Sequence, residues 1–218
     1  MTRETFHEQL EDLQKELLKM GTVVEEAIHR AVRSLSEKDS DLARQVIDQD
    51  DVIDNMELEI EKMCLALFGL QQPVAVDLRL IGTALKFVTD LERMGDHAVD
   101  IAKITLRLEG QPLIKPLVDI PRMAELAQIM MREALAAYVN RDPQQAYTMI
   151  ARDDEVDALY GQIFRELLTY MIEDPRTIQQ ATYLIFVAMY LERIADHATN
   201  LGEWTIYMVT GERKELNN

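Results

Sequence analysis

Apolar side chains recur at steps of three and four along nearly the whole chain. Leu10, Leu13, Leu17, Met20, Val24, Ala27, Ala31 and Leu35 form one such stripe. At 3.6 residues per turn it lies along one face of a single long helix over residues 3–35. The pattern lapses around Asp39 to Asp41, and a second stripe then runs through Leu42, Val46, Ile53, Met56, Ile60, Met63 and Leu67. Gly69 and Pro73 end it, the turn centres near Gln71, and a third helix reaches about Leu108. The next stretch, LEGQPLIKPLVDIP, holds Gly110, Pro112, Pro116 and Pro121 and reads as a linker. Beyond it, Asp142-Pro143 and Asp174-Pro175 each set an N-cap aspartate before a proline at the first helical position. They delimit three more helices, near 121–140, 143–172 and 176–210.

The second triplet of helices copies the first. A separation of 103 residues puts Met20 on Met123, Ala31 on Ala134, Asp39 on Asp142, Ala43 on Ala146 and Ile47 on Ile150. The same separation matches Asp50, Asp51 and Asp54 with Asp153, Asp154 and Asp157. Past the next loop the separation becomes 100, and DLERMGDHAVDI (90–101) matches YLERIADHATNL (190–201). The shift falls where loops tolerate deletion. The expected fold is all-α: two tandem antiparallel three-helix bundles related by an internal repeat, at 1–110 and 117–218. Helices of about 30 residues are about 45 Å long, so the molecule is expected to be elongated.

Composition narrows the function. The net charge is -16 and the pI ≈ 4.6, so a nucleic-acid backbone or a bare anionic bilayer would repel the chain. Basic protein surfaces and divalent cations are its natural complements. The single cysteine, Cys64, permits no intrachain disulfide and reads as inert packing. The start, MTRETFHEQLEDL, lacks the basic and apolar regions of a signal peptide, and the longest apolar run, Tyr183 to Leu191, is far short of a membrane span. A cytoplasmic chain that reaches membranes only through protein partners is expected.

The informative polar residues are acids spaced by four. Asp50/Asp54 and Asp153/Asp157 sit on the second helices, and Glu92/Asp96/Asp100 and Glu192/Asp196/Asn200 on the third. Residues four apart share a helical face. On the third helix that face lies away from the core positions Leu91, Met94, Ala98, Ile101 and Ala102. Counting outward from the hairpin turns near Gln71 and Asp174 sets Asp50 level with Glu92, and Asp153 level with Asp196. Facing like charges repel, and a bridging cation would relieve them. All-oxygen ligands suit Mg²⁺, Mn²⁺, Ca²⁺ or iron, with Zn²⁺ as a further candidate. The alternative is a solvated acidic face. His97 and His197 follow Asp96 and Asp196 and read as packing or peripheral histidines. Glu26-x-x-His29 and Glu4-x-x-His7 have the spacing of di-iron bundles, but both lie on one helix, and that chemistry needs two. No phosphate loop, nucleophile elbow or other catalytic constellation is present, so no enzyme is expected.

The stretch QQPVAVDLRLIGTALKFVTDLERMGDHAVDIA (71–102) closely resembles the signature of the PhoU family. YLERIADHATNLGEW (190–204) and IYMVTGE (206–212) resemble its second repeat and tail. The resemblance implies two three-helix bundles and paired E(D)-x-x-x-D motifs, which in some members hold multinuclear iron or other metal clusters. Asp50-Asp54, Glu92-Asp96, Asp96-Asp100, Asp153-Asp157 and Glu192-Asp196 match that motif. The second half departs from the first: Ala195 stands for Gly95, Asn200 for Asp100, and no D-L-R tripeptide precedes the last helix. Its site is therefore expected to hold metal more weakly.

By the same resemblance the chain is a negative regulator of the phosphate-starvation response; a homodimer is expected as well. Its implied partners, at the inner face of the membrane, are the ATPase of the phosphate ABC transporter and the phosphate-sensing histidine kinase. The contact surface is expected around Arg79, Arg93 and Asp96. The competing readings are a related module serving another phosphate carrier, and a metal-dependent enzyme or metal store.

Overall fold

The computed structural model describes residues 3–71 and 75–216. Pro73, expected to break the chain between the second and third helices, lies outside the described residues. All regular structure among the described residues is helical. The first repeat comprises α1 (Arg3–Glu37), α2 (Ser40–Asp48), α3 (Asp50–Gln71) and α4 (Ala75–Arg107). The second comprises α5 (Asp119–Asn140), α6 (Pro143–Tyr147), α7 (Ile150–Glu173) and α8 (Ile178–Thr210), with a 3-10 turn at Pro175–Thr177 before α8.

Each expected second helix is thus two. The first arm breaks at Gln49 and the second at Thr148 and Met149. The short leading piece buries Ala43 and Val46 in one repeat and Ala146 in the other. The longer piece then buries Ile53, Met56 and Ile60, or Val156, Leu159 and Ile163. The junction lets both pieces turn an apolar side to the same core.

The turns into these arms are built alike. α1 and α5 end on residues in the left-handed region, Lys38 at φ 56° and Arg141 at φ 53°. Asp39 then accepts hydrogen bonds from the N–H groups of Asp41 and Leu42, and Asp142 from those of Gln144 and Gln145. Asp174 caps the 3-10 turn rather than α8 directly.

The bundles are not separate bodies on a flexible tether. α4 packs against α8 as extensively as against α1, and α1 also meets α5. Leu91 and Leu191 belong to one continuous buried cluster. α4 and α8 run antiparallel: Arg79 Nε donates to the Met208 carbonyl at 3.1 Å, Thr83 Oγ1 to the Trp204 carbonyl at 3.5 Å, and the Asp90 carboxylate meets His197 Nδ1 at 2.8 Å. The linker is pinned as well. Gln180, buried in α8, donates to the Pro112 carbonyl at 3.0 Å and accepts from the Ile114 N–H, while Lys115 pairs with Glu166.

Candidate functional site

The acids line two grooves, one between α3 and α4 and one between α7 and α8. In the first, Asp50 feels Asp54 and Asp96, whereas Glu92 feels Asp96, Glu57 and Asp54. Asp50 is therefore level with Asp96, not with Glu92 as the counting required. α3 runs to Gln71 and α4 begins at Ala75, so the hairpin centre falls about two residues later than assumed. In an antiparallel pair that moves each partner about four residues, which is one helical turn. Glu57 joins the cluster from the turn after Asp54. The spacing-by-four rule passed over it because it stands at i+3, the other same-face position. Asp100 lies at the far end, in an ion pair with Lys103 at 3.2 Å.

In the second groove Asp153 lies beside Asp157 and Asp196, and Glu192 beside Asp196 and Asp157. Asp153 is buried, and Thr199 Oγ1 donates to it at 3.2 Å. Val99 stands at the position of Thr199 in the first repeat, so Asp50 has no matching donor. Asn200 remains on α8 one turn past Asp196.

The close approach of α3 to α4 depends on Gly95. A Cβ there would lie 2.8 Å from Ile53 Cδ1 and 3.2 Å from its Cγ2. The second repeat has Val156 and Ala195 at the equivalent positions, which moves one carbon across the interface. Gly95→Ala should lose about 2 kcal/mol to overpacking and regain about 1 kcal/mol of helix propensity. Denaturant unfolding should show the single variant destabilised by about 1 kcal/mol and Ile53→Val restoring it. A fully stable single variant would contradict this account of the groove.

Electrostatics mark both grooves as loaded. Burial first, then Asp96 and its neighbours, pushes the Glu92 carboxyl up to about 7. Burial and Asp157 push Asp153 up to about 6, against the Thr199 bond. Burial followed by neighbouring acids raises Asp50, Glu57, Asp96, Glu192 and Asp196 as well. The donor chemistry fits a hard cation. Yet among the described residues no three His, Cys, Asp or Glu side chains converge as a ready-made metal site, so ligation requires side chains of adjacent turns to re-orient.

Between the grooves, on the α4–α8 seam, His97 stacks on Tyr190 at 5.5 Å and lies 5.8 Å from the His197 ring. Burial and His197 hold His97 down to about 4, so it is neutral, and its Nδ1 is buried without a hydrogen-bond partner. The Asp90–His197 pair is the repeat image of Tyr190–His97. Sequence reasoning missed it because the two partners come from different repeats. Arg79, half-buried, donates from Nε to the Met208 carbonyl in the last turn of α8, which ties part of its guanidinium to the second repeat. Arg93 is exposed. Cys64 is fully buried, its thiol pushed up to about 12 by burial. Glu26 and His29 line a cleft of about 930 Å³ between α1 and α5, bounded by different helices from the acids. Among the described residues no helix is long and apolar enough to cross a membrane.

The repeat and the helical packing agree with what comparison finds. A family model described as the PhoU domain matches twice, at residues 17–105 and 120–205. A phosphate-specific transport system accessory protein PhoU homolog from Clostridium acetobutylicum is 46% identical over 100% of this chain and 100% of its own length. A protein of the same name from Aquifex aeolicus is 43% identical over 94% of this chain and 92% of its own. The crystal structure of PhoU from Pseudomonas aeruginosa superposes with a TM-score of 0.90 at 40% identity, covering 95% of this chain and 100% of that one. The phosphate transport system regulatory protein PhoU from Streptococcus pneumoniae gives 0.89 at 30% identity, covering 96% and 99%. These relatives are named as accessory or regulatory proteins, not enzymes, and with both halves matched the chain belongs to the PhoU family.

Proposed function

We propose that this chain is an accessory protein of a phosphate-specific transport system and a negative regulator of the phosphate-starvation response. It links the transporter's ATPase to the phosphate-sensing histidine kinase. The observation that carries this reading is 46% identity over its full length with an accessory protein of such a system, with the family domain matched in both repeats. The acidic surface supports action through basic protein partners, and the acid-lined grooves support cation binding as an adjunct to it.

An adaptor without chemistry of its own acts by differential affinity for partner states. Immobilised chain should therefore retain the transporter ATPase or the sensor kinase at least severalfold more from phosphate-replete extracts than from starved ones. Immunodetection of those two proteins checks it, and equal or no retention of both under the two conditions would count against the adaptor role.

A further inference from the structure

The two hairpins are not equivalent beyond their acids. On α7, Tyr160, Phe164, Leu168 and Ile172 recur every fourth residue, and the last three are 39%, 38% and 81% exposed. Phe186 on α8, 38% exposed, lies within about a turn of the level of Phe164 in the register set by the Thr199–Asp153 bond. The core side of α7 is Val156, Leu159, Ile163 and Leu167. Tyr160 packs its side against the core, and from Phe164 onward the apolar ridge turns away from it, in line with Asp153 and Asp157. The four exposed side chains present on the order of 400 Å² of surface, a size at which a monomer's patch is commonly functional.

The first repeat is an internal control. At the places of Tyr160, Phe164 and Ile172 it has Glu57, Glu61 and Gly69, and at the place of Phe186 it has Lys86. The same hairpin folds there without the aromatic side chains, so the fold does not require them.

We propose that this ridge of the α7–α8 hairpin docks an amphipathic helix of a partner protein, apolar on one face and rimmed by Lys or Arg. Anchors repeating every fourth residue suit a helix laid along them. Charge selects the occupant. Between Ile150 and Thr210, ten acidic residues stand against four arginines; with Glu155 paired to Arg122 and Glu166 to Lys115 the excess is still acidic, and the ridge runs directly into Asp157. A second copy would bring the same acids and another -16 of net charge. An anionic bilayer would be repelled as well. The inference rests on the reading that this chain works through protein partners, and it names the surface and the chemistry.

The probe is a labelled synthetic helix with Leu and Phe on one face and Lys and Arg along its rim, titrated with the full chain and followed by anisotropy. Controls are the same apolar face with a Glu rim, and a basic peptide of the same composition with its apolar periodicity scrambled. The expected result is binding to the first peptide at least tenfold tighter than to either control. Phe164→Glu or Phe186→Lys, each placing the first repeat's residue, should weaken it at least tenfold with unchanged melting. Equal binding of the scrambled peptide, or full binding by both variants, would overturn the proposal. A dimer that Phe164→Glu dissociates, or tighter binding to phosphatidylglycerol vesicles than to the peptide, would overturn it in favour of a second copy or a lipid surface. Because no phosphate-system component enters this titration, a failure here leaves the adaptor reading to be judged by its own test.

Discussion

Chain purified without chelators should carry bound metal, and Asp96→Ala combined with Asp196→Ala should remove most of it, with the larger share coming from the first groove. The physical basis is gathered, poorly compensated carboxylate charge. Glu92 is raised to about 7 and Asp153 to about 6, in each case by burial first and neighbouring acids next. A proton or a cation relieves the same repulsion. The sign follows from Glu92, whose ordinary value is 4.5. Its protonated form is favoured by the fold, so its contribution is complete below about pH 4.5 and lost as pH rises through about 7. Metal-free chain should therefore melt higher at pH 5.5 than at pH 8. For a partly exposed group, solvent screening limits the effect to about 1–2 kcal/mol, or about 2–8 °C. Added Mn²⁺ or Mg²⁺ should reproduce that gain at pH 8 and do little at pH 5.5. Elemental analysis and melting curves check both halves. Full metal content in the double variant would sink the ligand assignment, and a flat melting profile over this range would sink the electrostatic account.

Much of the architecture was legible because one periodicity and one repeat govern it. The stripe from Leu10 to Leu35 and the aspartates at 39, 142 and 174 locate the arms to within a few residues. The break at Gln49 was hidden because Val46 and Ile53 stand seven apart, and two turns of one helix look the same as a junction between two. The shared core was less visible still. On α4, Leu80 and Ile81, Phe87 and Val88, and Ile101 and Ala102 are adjacent buried pairs. Such pairs mark a buried arc wider than one bundle needs, and that signal was available. The proline-rich linker marks where one repeat ends and the next begins, and carries no sign of how widely the two share a core.

The faces that carry the acids were legible, but not their register. Acids spaced by four identified the grooves, and the two-residue error in the turn centre then paired Asp50 with the wrong partner. Glu57 escaped a rule that looked only at i+4. Arg79's bond to the end of α8 joins the two repeats. The Asp90–His197 contact depends on how two repeats meet, and neither repeat alone records that. The asymmetry between Glu61 and Phe164 was present in the aligned repeats, but its meaning appears only once both are known to be exposed or half-exposed on equivalent ridges.

Deleting this gene should leave phosphate-starvation genes switched on in phosphate-rich medium. The expectation rests on full-length similarity, at 46% identity, to an accessory protein of a phosphate-specific transport system and on population-shift reasoning. A regulator that binds the repressing state of its partners holds them there only while it is present. Its removal should raise expression of the starvation genes many-fold, whereas single surface substitutions act through one contact. Arg93→Glu, on the exposed flank of the first groove, should weaken repression without changing the melting temperature if that flank meets a partner. The most direct measurement is the transcript level of phosphate-starvation genes in phosphate-rich medium, in the parent, the deletion and the deletion re-expressing this chain. The expected result is low, high and low. Equally low levels in all three would contradict the regulatory account.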